Sequence, residues 1–435
     1  MSKVITTELQ HSGASSANIT LDSSKNVTCE NNLQVDGNLT VTGTIPADKF
    51  TGALPAISGA SLTGITSSDT LSYRNKIING AMTVSQRNGT SAVQLSASEQ
   101  YFIDRWENDS GSSFDMKCDA SQSSEAPEGF ANSMKFDCDG VSAVSGSHNG
   151  LITTFLEGQD LQDLKFGTSN AEDITLSFYA KSGSQNNGHV YGVFLGAYLN
   201  GTRNAQTKGF TVTSSWQRFT MTFAGTGTVT STGINNNNSK GMQVAFSLAV
   251  GPDDDENYST WTANSGLLGF TGQDNFFDNT SNELYITGVQ LEVGSVATDF
   301  EHKPYAQELA LCQRYFYAHS GGDHTVNGSD SSTPNSVLST ASCQSTSSIS
   351  VAVPLPVPMR AVPSLYSTVA GSTRYRLNSS GANTNSGSDP VVWTAGSSHT
   401  TVQMDLAGFS GLSAGQAGTV RRYDGTGSLG FNAEL

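Results

Sequence analysis

The sequence predicts a mainly β protein, and three observations support this prediction. Four short repeats near the N-terminus alternate apolar and polar residues with a period of two, the pattern of half-buried strands. A long middle segment continues the alternation between loops rich in Asn, Gly and Ser. One helical pattern follows, and further short strands complete the chain. We therefore expect a trimeric interwound β shaft, an antiparallel β-sandwich, one short helix and a small C-terminal β-domain.

The four N-terminal repeats begin at Asn18, Asn26, Asn32 and Asn38, and each places apolar or small residues at alternate positions. Strands this short expose too little apolar surface to form a core within one chain. Three chains wound about a common axis would bury these stripes against one another. The repeats thus predict a homotrimer, with an axis lined by Ile19, Leu21, Leu33, Val35, Leu39 and Val41.

The next segment repeats a tetrapeptide beginning at Phe50 and at Leu62, among prolines and small residues. This density of Pro and Gly excludes a helix and disfavours regular sheet. A disordered linker is one interpretation. The regular recurrence of apolar residues instead favours an extended neck in which the three chains interwind.

Composition limits the possible partners. Of the 435 residues only 14% are charged, and the formal net charge is −16. This charge opposes binding to nucleic acid and to anionic lipid. No window approaches 18 apolar residues and the first residues resemble no signal peptide, so we expect neither membrane insertion nor export by the secretory route.

The five cysteines are scattered along the chain, without the spacing of a zinc site. Cys118 and Cys138 lie in similar sequence contexts, as residues of neighbouring strands would. Because the chain is made in a reducing cytoplasm, we expect thiols at both positions rather than a bridge.

The middle of the chain predicts a β-sandwich, because many alternating strands follow one another without helices. Residues 174–180 show the alternation clearly, and the last two strands of the segment are expected to break at Gly288. Trp106 and Trp216 lie within apolar strand patterns and are predicted to belong to the core.

An acidic loop follows one of these strands. Asp253, Asp254, Asp255 and Glu256 supply the hard oxygen ligands that Ca²⁺ prefers, although their spacing is not that of an EF-hand. A structural Ca²⁺ site and a solvated acidic loop are both compatible with this run, and no other cofactor is expected. Tyr258 and Trp261 come just after it, where an exposed aromatic ring could stack on a sugar or fold back over the sandwich.

Residues 304–318 form the one helical pattern, with Pro304 suited to its first turn. Leu309, Cys312 and Phe316 recur at spacings of three and four and create an apolar face. This face could pack at the axis of a trimer or dock onto the sandwich of its own chain. We assign Leu309, Cys312 and Phe316 to the trimer axis.

The residues after the helix predict short strands, some interrupted by prolines, in a C-terminal domain. Arginine and aromatic residues are enriched where binding energy concentrates. The candidate receptor contacts in this domain are Arg374, Tyr375, Arg376 and Trp393, although Trp393 could instead belong to the core of the domain.

Several segments of the chain resemble bacteriophage tail fibres, in particular those of marine, cyanophage-like viruses. The matching segments are YRNKIINGA at 73–81, SQR at 85–87, DRW at 104–106, ITGVQLE at 286–292 and ELALCQRYF at 308–316. The segment WQRF at 216–219 is similar to a strand of the jelly roll of carbohydrate-binding modules. Phrases within residues 18–65 also resemble fibre proteins.

The resemblance implies a virion protein that is assembled in the host cytoplasm and released by lysis. Residues 1–17 would attach to a tail adaptor or nozzle protein, and 18–72 would form the shaft and neck. Residues 73–303 would form a carbohydrate-binding-module-like jelly roll, 304–320 a helical junction, and 321–435 a distal tip that binds a host-surface glycan or outer-membrane receptor.

Two alternatives to a receptor-binding fibre remain. One is a structural spacer that carries a separate adhesin, because fibres also use this sandwich as a spacer. The other is a polysaccharide-degrading fibre, which requires paired carboxylates across a cleft. The chain contains no GxSxG, HExxH or P-loop motif, so we expect a protein that is not an enzyme.

Overall fold

The structure is a computed structural model that describes most of the chain beyond residue 72 and three short strands before it. The described ranges are 8–9, 19–21, 27–29, 73–111, 114–227, 233–263, 268–319, 337–367, 375–379, 382–385, 391–392, 396–422 and 429–435. Residues 1–67 and 68–435 form two separate compact units.

The N-terminal unit contains a three-stranded antiparallel sheet of β1 (Glu8–Leu9), β2 (Ile19–Leu21) and β3 (Val27–Cys29). Strands β2 and β3 coincide with the first two predicted repeats, so the strand prediction is confirmed there. Ile19 pairs with Cys29, and Leu21 with Val27. The other expected axial residues, Leu33, Val35, Leu39 and Val41, lie outside the described residues, and the trimer stays a prediction.

The larger unit begins with an antiparallel β-sandwich, as the sequence predicted. Its six-stranded sheet, named in chain order, comprises β4 (Val93–Leu95), β7 (Cys118–Ser123), β8 (Ser133–Cys138), β10 (Ile174–Ser182), β13 (Gln217–Phe223) and β16 (Glu283–Val293). Its seven-stranded sheet comprises β5 (Gln100–Ile103), β6 (Trp106–Gly111), β9 (Asn149–Glu157), β11 (Val190–Leu199), β12 (Thr202–Thr211), β14 (Lys240–Val250) and β15 (Thr262–Ala263). The strand orders across the sheets are β13-β10-β16-β8-β7-β4 and β15-β12-β11-β14-β9-β6-β5.

The sandwich core is built from the residues that alternate along the strands. The apolar residues of β10 are fully buried, and its Phe178 ring lies 4.9 Å from that of Phe246 and 5.0 Å from that of Phe210, between ring centroids. Both contacts have the edge-to-face geometry that the charge distribution of aromatic rings favours. The period-two pattern therefore located the core correctly.

Gly288 does not end a strand, contrary to the sequence-based expectation. Strand β16 is continuous through it, and the pairing with β10 shifts in register opposite this point. Gly288 has a φ of 61°, and a Cβ atom built there would lie 2.7 Å from the Phe130 ring. A residue without a side chain thus permits a bulge where a break was predicted.

The outer face of the seven-stranded sheet is partly covered by the segment after β14. Leu151, Phe194 and Ala245 form a small apolar cluster separate from the main core, packed with Leu268 and Tyr258 of that segment. Because Leu151 precedes a core residue in its strand, it points away from the sandwich interior. The acidic loop therefore belongs to a flap across this sheet.

The predicted helix is shorter than expected. Helix α1 (Tyr305–Gln313) ends before strand β17 (Phe316–Ala318), which pairs with a strand near the C-terminus. Cys312 and Phe316 are buried within this chain, so assigning them to a trimer axis is wrong, whereas Leu309 is only half-buried. The helix follows the other alternative, in which its apolar face docks onto the sandwich of the same chain. No helix in the described ranges is long and apolar enough to span a membrane.

The C-terminal residues form two further antiparallel sheets with their own apolar core. The first contains β17, β20 (Ser364–Ser367) and β26 (Leu429–Asn432). The second contains β18 (Val337–Cys343), β19 (Ser348–Pro354), β21 (Tyr375–Ser379), β22 (Ala382–Asn385), β23 (Val391–Val392), β24 (Thr401–Ala407) and β25 (Ala417–Arg422). A second β region after the helix is thus confirmed.

Candidate functional site

The acidic run is a structured loop whose carboxylates do not converge. Asp254 is buried and accepts a hydrogen bond from the Asn149 amide at 3.4 Å, and burial raises the pKa of its carboxyl. Glu256 is exposed and accepts a hydrogen bond from the Tyr258 hydroxyl at 3.0 Å, whereas Asp255 forms a backbone bridge with Gly269. Over the described residues, no group of three or more His, Cys, Asp or Glu side chains could hold a metal ion. The positions of Asp254, Asp255 and Glu256 agree with the alternative of an acidic loop, and the Ca²⁺ interpretation of Asp253, Asp254, Asp255 and Glu256 stays a prediction.

Trp261 is not the exposed ring that stacking on a sugar requires. It is 6% exposed, packs edge-to-face on Phe166 and donates its indole N–H to the Ala224 carbonyl at 2.6 Å. Tyr258 is half-buried against the outer face of the sheet. The alternative that these aromatics fold back over the sandwich agrees with both positions.

The other predicted contacts have different surroundings. Tyr375 is buried in the C-terminal core and cannot present its ring to a receptor, whereas Arg376 is half-buried and pairs in register with Asn385 and Arg421. Arg374 and Trp393 lie outside the described residues.

Of the two tryptophans predicted to lie in the core, only Trp106 does so. Trp106 is fully buried and donates its indole N–H to the Asn79 carbonyl at 3.3 Å. Trp216 is half-buried just before β13, with its ring centroid 6.3 Å from that of Tyr285, and its prediction as core is wrong. Side chains alternate along a strand, and Ile286 belongs to the core, so its neighbour Tyr285 points outward. Trp216 therefore packs on the outer face of the sheet.

A cavity of about 550 Å³ lies where the edge strands of the sandwich meet the C-terminal sheet. The loop before β4, the strands β5 and β6, and the strands β20 and β26 all contribute to its wall. Its chemically distinctive lining residues are Arg87, Glu99, Gln100, Tyr101, Glu107 and Tyr366. The wall thus combines two tyrosine rings with carboxylates, an amide and a guanidinium.

Arg87 holds the two tyrosines of this cavity in position. Its guanidinium carbon lies 4.6 Å from the Tyr101 ring centroid and 5.9 Å from that of Tyr366, and 3.7 Å from that of Phe316. Cations attract the faces of aromatic rings at these distances. Arg87 also forms an ion pair with Glu434 at 3.2 Å, so the residue that orders the wall also joins the two β regions.

A second arginine strengthens this junction. Arg105, in the turn between β5 and β6, is buried, pairs with Glu434 and donates to the Phe155 carbonyl. Its guanidinium carbon lies 3.6 Å from the centre of the Tyr315 ring. On the same side, Arg314 donates two hydrogen bonds of 2.7 Å to the buried carboxylate of Glu157. Buried charges with this many partners hold the cavity walls in one arrangement.

The carboxyl of Glu107 is an unusually weak acid because of its position in the cavity wall. Burial raises its pKa to about 8; a hydrogen bond from Tyr101 opposes this shift, and the negative charges of Glu434 and Glu99 add to it. Near neutral pH the group is largely protonated and can donate a hydrogen bond. Glu99, in contrast, is exposed at the rim and offers carboxylate oxygens as acceptors.

Sequence reasoning missed this cavity. Arg87 and Arg105 belong to the segments that carry the resemblance, and Tyr101 faces Glu107 across a hairpin. The only local signal is the run Glu99-Gln100-Tyr101, polar residues directly before the apolar part of a strand. Tyr366 and the partners near the C-terminus are hundreds of residues away, and no local pattern links them to this run.

Comparisons with known proteins find likeness in structure only. No family model matches the chain, and no curated protein matches it. The chain is similar to the enzymatically active domain of tailspike protein 4 of bacteriophage CBA120, with 10% identity and a TM-score of 0.27. That match covers 51% of this chain and only 22% of the tailspike chain.

Two carbohydrate-binding structures are also similar. The CBM22-1 xylan-binding domain of Paenibacillus barcinonensis Xyn10C has 9% identity and a TM-score of 0.25, covering 48% of this chain and 99% of that domain. The family 11 carbohydrate-binding module of Clostridium thermocellum Lic26A-Cel5E has 14% identity and a TM-score of 0.24, covering 50% and 100%. With TM-scores below 0.5, these likenesses assign no function to the chain.

Proposed function

We propose that this protein recognises a glycan through the cavity between its sandwich and its C-terminal sheets. The observation that carries the proposal is the wall formed by Tyr101, Tyr366, Glu99 and Glu107 around about 550 Å³. Aromatic rings supply apolar faces for a sugar ring, and the carboxyl, amide and guanidinium groups supply hydrogen bonds to its hydroxyls. The volume lies in the usual range for small-molecule sites.

The setting we propose for this activity is a phage tail fibre. Two further copies of the chain would assemble with it through the N-terminal repeats, and the first residues would bind a tail adaptor or nozzle protein. The distal β regions would then contact a host-surface glycan or outer-membrane receptor from the virion. The strands found in the first two repeats support a shaft built from β structure.

Glycan binding is tested with the full chain on an array of neutral and acidic oligosaccharides. The strongest binder is then titrated calorimetrically against Glu99→Gln and Tyr366→Leu. We expect each variant to weaken binding at least tenfold, because each removes a contact that faces the cavity. Glu128→Gln and Tyr73→Ala, at exposed positions outside the cavity, are the matched controls.

Two results would contradict the proposal. Cavity variants that bind the selected glycan as tightly as the controls would place the site elsewhere. An array without any bound glycan would favour the structural spacer, and capture of a separate adhesin would then identify its role.

The trimer is tested independently by light scattering of the full chain. We expect three times the chain mass of 45.6 kDa. A monomer would remove the reason for assigning the N-terminal repeats to a fibre axis, whatever the outcome of the glycan experiment.

One feature of the cavity favours the alternative of a polysaccharide-degrading fibre. Glu107, with a pKa of about 8, resembles a general acid, and Glu99 supplies a carboxylate in the same cavity. Release of reducing ends from the glycan selected on the array distinguishes the two functions. A binding protein leaves the glycan intact, whereas a glycosidase releases ends and loses this activity in Glu107→Gln.

A further inference from the structure

Cys118 and Cys138 lie directly opposite each other on the neighbouring antiparallel strands β7 and β8. The backbone hydrogen bonds show which kind of pair they form. The N–H of Asp139 donates to the Lys117 carbonyl, and the N–H of Cys138 donates to Asn282 on its other side. The two cysteines are therefore a pair without hydrogen bonds between their own backbone groups, the type in which facing side chains lie closest.

This arrangement satisfies the backbone geometry of a disulfide. The Cα atoms of such a pair are about 4.5 Å apart, within the range of about 4.4–6.8 Å that disulfides span. Both side chains point to the same side of the sheet and belong to the same core cluster, and both are free thiols in this structure. The backbone therefore allows the bond, and closing it requires the Cys138 thiol to leave its hydrogen bond to the Gly140 carbonyl, which is 3.3 Å long.

We propose that Cys118 and Cys138 form a latent cross-strand disulfide that closes under oxidising conditions. The two thiols lose two protons and two electrons and form one S–S bond, and a disulfide such as oxidised glutathione accepts them and becomes two thiols. The product joins β7 to β8 covalently within the six-stranded sheet.

The surroundings of Cys118 and Cys138 help to keep both side chains as thiols while the chain is in a reducing environment. Burial raises the pKa of the Cys118 thiol, and the neighbouring Cys138 adds to this effect; burial likewise raises the pKa of Cys138. The thiolate is the reactive form, and a raised pKa leaves little of it. Oxidation is therefore slow while the protein is folded. Of the other described cysteines, Cys312 lies on the helix, Cys343 pairs with Ile349 and Cys29 pairs with Ile19, so none of them faces a cysteine across a sheet.

The full chain is incubated with oxidised glutathione until the amount of disulfide no longer changes between successive samples. It is then unfolded in the presence of an alkylating reagent and digested with trypsin. Lys135 separates the two cysteines, so their peptides stay joined only through a disulfide. We expect a joined species lacking two hydrogens, which reduction separates. We also expect a higher melting temperature for the oxidised chain, with no such gain in the Cys138→Ala variant.

The same incubation in urea just below the unfolding midpoint removes the kinetic protection of the buried thiols. A joined species under either condition supports the inference. Recovery of Cys118 and Cys138 as separate alkylated or glutathione-bearing peptides under both conditions would overturn it. The Cys138→Ala variant controls for disulfides between Cys118 and any other cysteine.

Discussion

The guanidinium of Arg87 stacks on the ring of Phe316, with 3.7 Å between the guanidinium carbon and the ring centre. The two residues belong to different parts of the chain, one before the first strand of the sandwich and the other just after the helix. Both are buried, and the stack lies beside the cavity wall that Tyr101 and Tyr366 form. The junction between the two β regions therefore also organises the candidate site.

The buried ion pairs of this junction should contribute strongly to stability. Arg105→Met removes the hydrogen bond from Arg105 to the Phe155 carbonyl and one of the two arginines that pair with Glu434. We expect a loss of about 3 kcal/mol in the free energy of unfolding, measured by urea denaturation. This is the lower end of the cost of breaking a buried pair, because Arg87 still pairs with Glu434.

The control for this variant is Lys165→Met, which breaks the exposed pair with Glu172. Exposed pairs contribute at most about 1 kcal/mol. Equal losses in the two variants would show that the Arg105 junction is no stronger than a surface contact.

The raised pKa of Glu107 predicts a stability that falls as the pH rises. Between the ordinary value of 4.5 and the folded value of about 8, the unfolded chain releases a proton that the folded chain retains. This group therefore lowers the free energy of unfolding by at most about 1.4 kcal/mol per pH unit within that window. Glu107→Gln removes the effect, so the variant should gain stability relative to the parent between pH 5 and pH 8.

Urea denaturation at four pH values across this window measures that difference. Glu128→Gln removes a carboxylate from an exposed position and controls for the change in net charge. A constant difference between parent and Glu107→Gln at all four values would mean that the carboxyl titrates normally.

Gly288 should tolerate substitution poorly. In Gly288→Ala the new Cβ would meet the rings of Phe130 and Tyr179 at 2.7 and 2.9 Å, in addition to the cost of a positive φ. Overpacking costs about 1–3 kcal/mol and the left-handed backbone about 1–2 kcal/mol. Gly188→Ala, also at positive φ but with nothing within 4 Å, should incur the backbone cost alone. Thermal melting of both variants compares the costs, and equal shifts would contradict the packing argument.

Trp261 should act in stability and not in glycan binding. Trp261→Ala removes a buried ring and its hydrogen bond to Ala224, with an expected loss of about 3–5 kcal/mol. The half-buried Trp216 is the matched position, and Trp216→Ala should cost less. Urea denaturation and calorimetric titration of the selected glycan measure both properties. Normal stability with lost binding in Trp261→Ala would restore the stacking role.

The alternation of apolar residues determined much of the fold by itself. The pattern of residues 174–180 correctly predicted which side chains face inward, because side chains alternate along a strand whatever its neighbouring strands are. The helical spacing near Leu309 likewise located α1, although it did not show that Phe316 would leave the helix for a strand. That change depends on pairing with β26, more than one hundred residues later.

Tertiary structure alone decided which polar and aromatic residues form a site. The sequence placed Trp261 in a loop beside acidic residues, but a loop residue becomes buried or exposed only when the segment folds against a sheet. Tyr101, Glu107 and Tyr366 carry no distinctive local pattern, and the cavity exists because distant strands meet. Local periodicity thus determined the strands and their inward faces, whereas long-range packing decided burial, charge pairing and the candidate site.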